Sequence, residues 1–417
     1  MRPVDIIIVG AGDRGTSYAA FAQHHPERVR IVGVAEPRDW HRADFQKRYD
    51  VPEENVATDW KILADRPKFA DAVVIATQDS LHVEPAVAFA DKGYAMLLEK
   101  PMAPTADECR TIVEAVKKAN ILFAVCHVLR YTPYTRALKK LLDQGVIGDL
   151  VSIQHLEPVG YWHQAHSFVR GNWRNEKTSS FMLLAKSCHD LDWMRYIMGA
   201  RCKNVSSFGS LKHFRKEEQP AGAAARCLDC AIEPNCPYSA QKIYMGLLEK
   251  GSTGWPLSVL TPEPTEDSVH QALREGPYGR CVYECDNDVV DHQVVTMDFE
   301  GDRSGCFTMT AFNGGGHRQT RLFGTRGELS GNGSSIEYLD FLTDQRTTVE
   351  MESSDASIMG GHGGGDYGVM DSFIRAVADN NPDEILSGPD ETLESHLMVF
   401  AAEKARLENQ VVRVTDA

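Results

Sequence analysis

The sequence predicts an α/β protein that opens with a doubly wound parallel sheet and continues into a second domain. Three observations carry this. The apolar, β-branched run Ile6-Ile7-Ile8-Val9 leads into Gly10-Ala11-Gly12-Asp13-Arg14-Gly15 and then into helix-compatible residues up to Phe21. Buried-strand and helical patterns then alternate without a break as far as Val125. The chain of 417 residues exceeds what one ordinary core organises, so two domains are the default. The expected division is 1–127 and 128–417, with a Cys-rich insertion at about 222–285 in the second part.

Each element of the first part has a reason. In the Gly-x-Gly-x-x-Gly turn, Gly10 permits the tight bend and Gly12 lets the backbone approach a pyrophosphate. Gly15 brings the helix close to the strand, and the helix N-terminus, with Asp13 and Arg14, faces the negative charge. The run Val29 to Ala35 is a second strand ending in Glu36. An acid roughly 20 residues beyond the glycines accepts hydrogen bonds from an adenosine ribose, which points to a dinucleotide. Glu36 favours NAD, because a carboxylate repels a 2′-phosphate. Arg38, two residues on, offsets that repulsion and leaves NADP open.

A helical segment from Arg42 to Tyr49 and a short strand at Val56 follow. Ala72 to Thr77 is continuously apolar, as a doubly covered parallel strand must be. It delivers Gln78-Asp79-Ser80-Leu81-His82 to the carboxyl end of the sheet, where ligands bind. The helix Val83–Asp91 and the strand Tyr94–Leu98 lead to Glu99-Lys100-Pro101. Proline fixes a turn there and aims the Lys100 ammonium into the cleft, where it can stabilise charge on a substrate oxygen. The helix Asp107–Lys118 and the strand Ile121–Val125 bring the chain to Cys126-His127-Val128-Leu129-Arg130-Tyr131-Thr132-Pro133.

The glycine turn, the Thr-x-x-x-x-His stretch at Thr77–His82, Glu99-Lys100-Pro101 and His127-x-x-Arg130-Tyr131-x-Pro133 occur in order at suitable spacing. Together they resemble the Gfo/Idh/MocA (glucose–fructose oxidoreductase / inositol dehydrogenase) family. That resemblance implies a Rossmann domain followed by an α+β domain with a large, open, mostly antiparallel sheet that forms a homodimer or homotetramer. It implies NAD(P)-dependent hydride transfer to or from a carbinol of a sugar, sugar derivative or cyclic polyol. Lys100 is then catalytic and substrate-binding. Thr77, His82, Glu99, Lys100 and Arg130 join Gly10, Gly12, Asp13, Arg14, Gly15, Glu36 and Arg38 around the cofactor, with His127 at the substrate. Some relatives instead hydrolyse glycosides by oxidising C3 transiently with retained NAD, and a non-catalytic cofactor-binding sensor is a third reading.

The second part carries two further candidates. The stretch Gly160 to Arg174 is dense in aromatics, His and Arg, a composition suited to sugars, so Trp162, His163, His166, Arg170 and Trp173 are expected at the substrate. Leu184, Cys188, Leu191 and Met194 recur with helical spacing and place His189 and Asp190 on a helix. The family's familiar form has Asp four residues before this His; here that position is Ala185, with Lys186 three residues before. Neighbours on a helix face, Lys186 and His189 are expected to meet, the ammonium favouring the neutral imidazole that a general base requires. Asp190 is assigned to the substrate. His362, in the glycine-rich Gly360 to Asp366, is a further candidate contact on a segment expected to cover the cleft.

Cys227-x-x-Cys230-x-x-x-x-x-Cys236, with Cys281 after a long insert, has the composition of a structural zinc site; a set of incidental thiols is the competing reading. The rest of the composition excludes more than it assigns. A net charge of −15 argues against a nucleic-acid partner. There is no signal-peptide h-region and no apolar run of membrane-spanning length, so no membrane partner is expected. Ten cysteines beside a dinucleotide fold suit a reducing cytoplasm.

Overall fold

The computed structural model describes residues 2–351 and 361–417. Six strands form the first sheet: β1 (Val4–Val9), β2 (Val29–Ala35), β3 (Val56–Ala57), β4 (Ala72–Ile75), β5 (Ala95–Leu98) and β6 (Phe123–Val125). Their spatial order is β3-β2-β1-β4-β5-β6, and every pairing is parallel. The order reverses between β1 and β4, so the glycine turn after β1 opens onto the crevice where such sheets bind ligands. Ile6, Ile8 and Val74 point to one covering layer, and Ile7, Val73 and Ile75 to the other. Burial on both faces explains why these strands read as continuous apolar runs.

The second sheet has nine strands: β7 (Leu150–Pro158), β8 (Cys202–Ser210), β9 (His292–Phe299), β10 (Arg303–Thr310), β11 (Gln319–Gly324), β12 (Gly327–Gly331), β13 (Ser335–Asp340), β14 (Gln345–Glu350) and β15 (Val412–Arg413). Their order is β14-β13-β12-β11-β7-β10-β9-β8-β15. Among the described residues only β7 and β10 of this sheet pair in parallel. One face carries Val295, Met297, Phe299 and Phe307 against the helices Met182–Met198 and Pro389–Glu408. The other face is open, with Phe208 and Val294 exposed and paired across β8 and β9.

Residue 127 separates the two sheets but not the two cores. The late helix Gly361–Asp379 returns to the first sheet and packs Val369, Met370, Phe373 and Ile374 beside Ile6, Ile8 and Phe21. Arg28 and Asp371 tie it there at 2.8 Å. His362, Gly363 and Gly364 form a left-handed turn at φ +51°, +66° and +84°, and the right-handed helix runs on from that turn to Asp379. Gly360, the first residue of the glycine-rich stretch, lies outside the described residues. No helix among the described residues is long and apolar enough to cross a membrane.

Candidate active site

The turn after β1 has the geometry a pyrophosphate requires. Gly10 adopts φ +92°, and a Cβ there would lie 2.6 Å from the Ala76 carbonyl oxygen. At Gly15 a Cβ would lie 1.9 Å from the Gly10 oxygen, so both positions demand glycine. The helix Asp13–His24 starts at Gly12 with no side-chain cap, leaving its first N–H groups to a ligand. Glu36 is 2% exposed and accepts the Ala11 N–H at 2.9 Å. Arg38 donates to both Glu36 oxygens, at 2.7 and 3.0 Å. Burial alone would push the Glu36 carboxyl up, but these hydrogen bonds outweigh it and hold the group below its ordinary range. These residues fit the adenosine and pyrophosphate portions of a dinucleotide.

Arg14 does more than face the ligand. It pairs with Glu99 at 2.6 Å and with Asp366 at 2.7 Å, joining the first helix to the end of β5 and to the segment after the left-handed turn. Tyr18 donates its hydroxyl to Glu99 at 2.8 Å. His82 is buried, with Nδ1 2.9 Å from the Pro101 oxygen and Nε2 3.2 Å from the Thr77 oxygen. It therefore braces the loops after β4 and β5, a geometry unlike the cofactor contact expected of it. The Thr77 hydroxyl faces the Leu81 carbonyl at 3.4 Å.

Lys100 follows β5 directly, across a cis bond to Pro101. Its ammonium crosses to the helix Met182–Met198 and donates to the Ala185 carbonyl oxygen at 2.8 Å. Ala185 lies one turn before His189 on the same helical face, so ammonium and imidazole share the site. His189 is buried, and its ring centroid stands 5.8 Å from that of His362 and 6.2 Å from that of His127. Burial first, and then the charge of Lys100, hold His189 well below the ordinary imidazole range, so the ring is neutral.

Three expected partnerships resolve differently. Lys186 does not pair with His189; its ammonium lies 2.9 Å from Glu157 on β7, because a carboxylate within reach attracts it more strongly than an imidazole. Asp190 is fully buried, with His155 Nε2 at 3.0 Å and the Arg318 guanidinium bonded to it. Burial would raise its pKa, but Arg318 and His155 hold it well below the carboxylate range. Arg130 is buried in a two-pronged pair with Asp192, at 2.7 and 2.6 Å. His127, also buried, has its Nε2 3.6 Å from the same carboxylate.

The aromatic stretch forms a continuous coil of Tyr161–His163 followed by a wider π-type turn, Gln164–Arg170. Trp162 lies 5.6 Å from His163 and 5.6 Å from Trp255, which comes from the insertion. Burial holds the His163 ring well below the ordinary imidazole range, and the charges of Lys186 and Lys100 act in the same direction. His166 points inward, stacked on Tyr278 at 4.9 Å and bonded to the Tyr244 hydroxyl at 2.9 Å. Arg170 also points inward, to the Arg280 and Tyr238 carbonyls. Trp173 is partly exposed beside Phe168, 6.4 Å between centroids. Within this stretch His166 and Arg170 are committed to partners in the insertion, while Trp162 and His163 pack on each other and on Trp255.

The zinc expectation is corrected. Among the described residues no three His, Cys, Asp or Glu side chains converge on a point that could hold a metal ion. Cys227, Cys230, Cys236 and Cys281 instead line one cavity together.

Two family models match the chain. One, described as an oxidoreductase family with an NAD-binding Rossmann fold, covers residues 4–127; the other, the C-terminal α/β domain of the same family, covers 139–414. The chain belongs to the Gfo/Idh/MocA oxidoreductase family. Within that family, the Bacillus subtilis protein YteT is 24% identical over 76% of this chain and 75% of its own length. Levoglucosan dehydrogenase of Pseudarthrobacter phenanthrenivorans is 30% identical over 48% of this chain and 52% of its own. A 2,7-anhydro-N-acetylneuraminate hydratase of Mediterraneibacter gnavus is 28% identical over 50% of this chain and 53% of its own. The last two matches span only about half of each relative. Among solved structures, levoglucosan dehydrogenase with NADH and levoglucosan superimposes at TM-score 0.70, with 19% identity over 99% of this chain and 100% of that one. An Agrobacterium radiobacter oxidoreductase complexed with NAD+, L-tartaric acid and magnesium superimposes at 0.72, with 12% identity over 99% of both chains.

The family assignment agrees with the sequence reading of both folds. The contacts among Glu157, Arg318, His155 and Asp190 were not anticipated, because β7, the segment before β11 and the helix Met182–Met198 that supply them are far apart in sequence. One signal was present, since Glu157 keeps the burial alternation of β7 two residues beyond His155.

Proposed function

We propose that the protein is an NAD-dependent oxidoreductase acting on a carbinol of a sugar, sugar derivative or cyclic polyol. The observation that supports this most directly is the Lys100 ammonium held on the helical turn that precedes a buried, neutral His189. When bound, the nicotinamide accepts hydride from the carbinol carbon. Lys100 donates a hydrogen bond to the carbinol oxygen and stabilises the negative charge that grows there. His189 takes the hydroxyl proton. Its burial and the neighbouring ammonium disfavour the resulting imidazolium, which drives the proton onward once the carbonyl has formed. Trp162 and His163 flank the sugar. Lys186 and Arg318, neutralised by Glu157 and Asp190, support the floor of the site without touching the reacting atoms. NAD is favoured over NADP because the buried Glu36 occupies the ribose side of the turn and already engages Arg38. The open sheet face bearing Phe208 and Val294 is the surface for self-association.

A panel of sugars and polyols assayed with NAD and with NADP tests the reading. Lys100→Met is expected to lower turnover by about 100-fold or more while leaving NAD affinity unchanged. Full activity in that variant refutes the assignment. The hydratase among the relatives favours a second reading, in which a transient oxidation is reversed within one catalytic cycle. Product formation from an anhydro-sugar or glycoside with no net change in NADH selects that reading.

A further inference from the structure

We propose that Cys227, Cys230, Cys236 and Cys281 hold a [4Fe–4S] cluster. These thiols line one cavity of about 210 Å³, together with Arg170, Asn235, apolar residues that include Ile232 and Val282, and Glu233, whose carboxylate accepts the Ser239 hydroxyl. That space equals the liquid volume of about seven water molecules. Zinc requires four sulfurs within about 2.3 Å of a common point, and no such convergence exists among the described residues. Four thiols lining one void of this size suit a multi-atom inorganic core, for which four cysteine ligands are the usual complement. Three neighbouring thiols with a distant fourth, and Pro237 directly after Cys236, also echo the layout of cluster-binding runs.

Two features of the surroundings point the same way. Three of the four sulfurs already accept N–H hydrogen bonds: Cys227 from Ala240 N at 3.5 Å, Cys230 from Ala224 N at 3.5 Å and Cys281 from Gln219 Nε2 at 3.7 Å. Such donors stabilise thiolate sulfur and tune cluster potentials. Arg170 is only 1% exposed, and its hydrogen bonds go to two carbonyls and to Cys227 Sγ, none of them a carboxylate. Its Nη1 is buried with no partner at all. A buried guanidinium needs an anion. Four thiolates around an iron–sulfur core carry net negative charge and supply one. Cys285 hydrogen-bonds the Cys281 carbonyl and stays outside the cavity, so it is not a ligand. Because Arg170 ends the coil that carries Trp162 and His163, the cluster would fasten the insertion to that coil.

The test is iron, zinc and acid-labile sulfide analysis of the full chain, purified anaerobically and also reconstituted with ferrous iron and sulfide. The expected result is about four iron and four sulfide per chain, with visible absorbance that bleaches under dithionite. Cys227→Ser and Cys236→Ser are each expected to lose most of the iron, and Cys285→Ser to retain it. One zinc per chain without sulfide, or no metal in the reconstituted wild type, overturns the proposal. This readout does not depend on turnover, so it stands apart from the hydride chemistry.

Discussion

Replacing Arg130 by Met separates the structural reading of this residue from the cofactor role expected of it. Arg130 and Asp192 are each 1% exposed and joined by two hydrogen bonds. Asp192 also accepts the Ser395 hydroxyl at 2.8 Å, and Arg130 reaches the Leu386 carbonyl. The pair thus joins the chain after β6 to the helices Met182–Met198 and Pro389–Glu408. Removing the guanidinium leaves a buried carboxylate uncompensated, at a cost of about 3–5 kcal/mol. His127, 3.6 Å from that carboxylate, is then freed of the repulsion of Arg130 and can serve as a cationic partner once protonated. The loss should therefore be partly recovered at acid pH, where His127 can take up a proton. Removing both charges in Arg130→Met/Asp192→Leu should restore most of the stability, because a buried pair and an apolar replacement differ little in free energy. Urea unfolding followed by tryptophan fluorescence measures the stability, and NADH fluorescence titration measures affinity. An Arg130→Met variant of unchanged stability but tenfold weaker NAD binding would refute the clasp.

Two further predictions concern titration. Ala185→Asp places a carboxylate one turn before His189, beside the Lys100 ammonium; it should raise the His189 pKa and move the acid limb of kcat/KM upward by about one unit. An unshifted pH–rate profile would show that His189 is not the titrating base. Burial holds His127 and His166 at about 3 and His396 at about 4, against an ordinary value of 6.5. All three are neutral in both states above pH 6.5, and below it the unfolded chain binds protons that the folded one refuses. Stability should then fall by about 1.4 kcal/mol per pH unit for each, progressively between about pH 6 and 4. A flat stability profile from pH 7 to 5 would contradict this.

Local patterns carried the first domain. Apolar runs, glycine spacing and the ends of β4 and β5 are all encoded within a few residues of one another, so Gly10, Glu36 and Lys100 could be located from the chain alone. His189 was legible through helical periodicity and the family resemblance. Side-chain partners were not legible, because they are settled by elements far apart in sequence. Lys186 found Glu157, Asp190 found Arg318, and Arg130 found Asp192 only when β7, the turn before β11 and the central helix came together. The same applies to Trp255, which closes on Trp162 from the insertion. The helix Gly361–Asp379 shows the limit at the scale of domains, since a late segment completes an early core.

Arg14 gives the molecule a means of communication between its two binding functions. One guanidinium touches the coenzyme turn, the carboxylate next to Lys100, and Asp366, which also lies 3.2 Å from His362 Nδ1. If a dinucleotide displaces that guanidinium, the left-handed turn carrying His362 against His189 loses its anchor or gains a new one. Linkage then requires reciprocity: whatever factor coenzyme applies to substrate affinity, substrate applies to coenzyme affinity. Arg14 holds Glu99 and Asp366 at the same time through different nitrogens, so one side chain ties the coenzyme turn, the residue before Lys100 and the turn carrying His362 into a single unit.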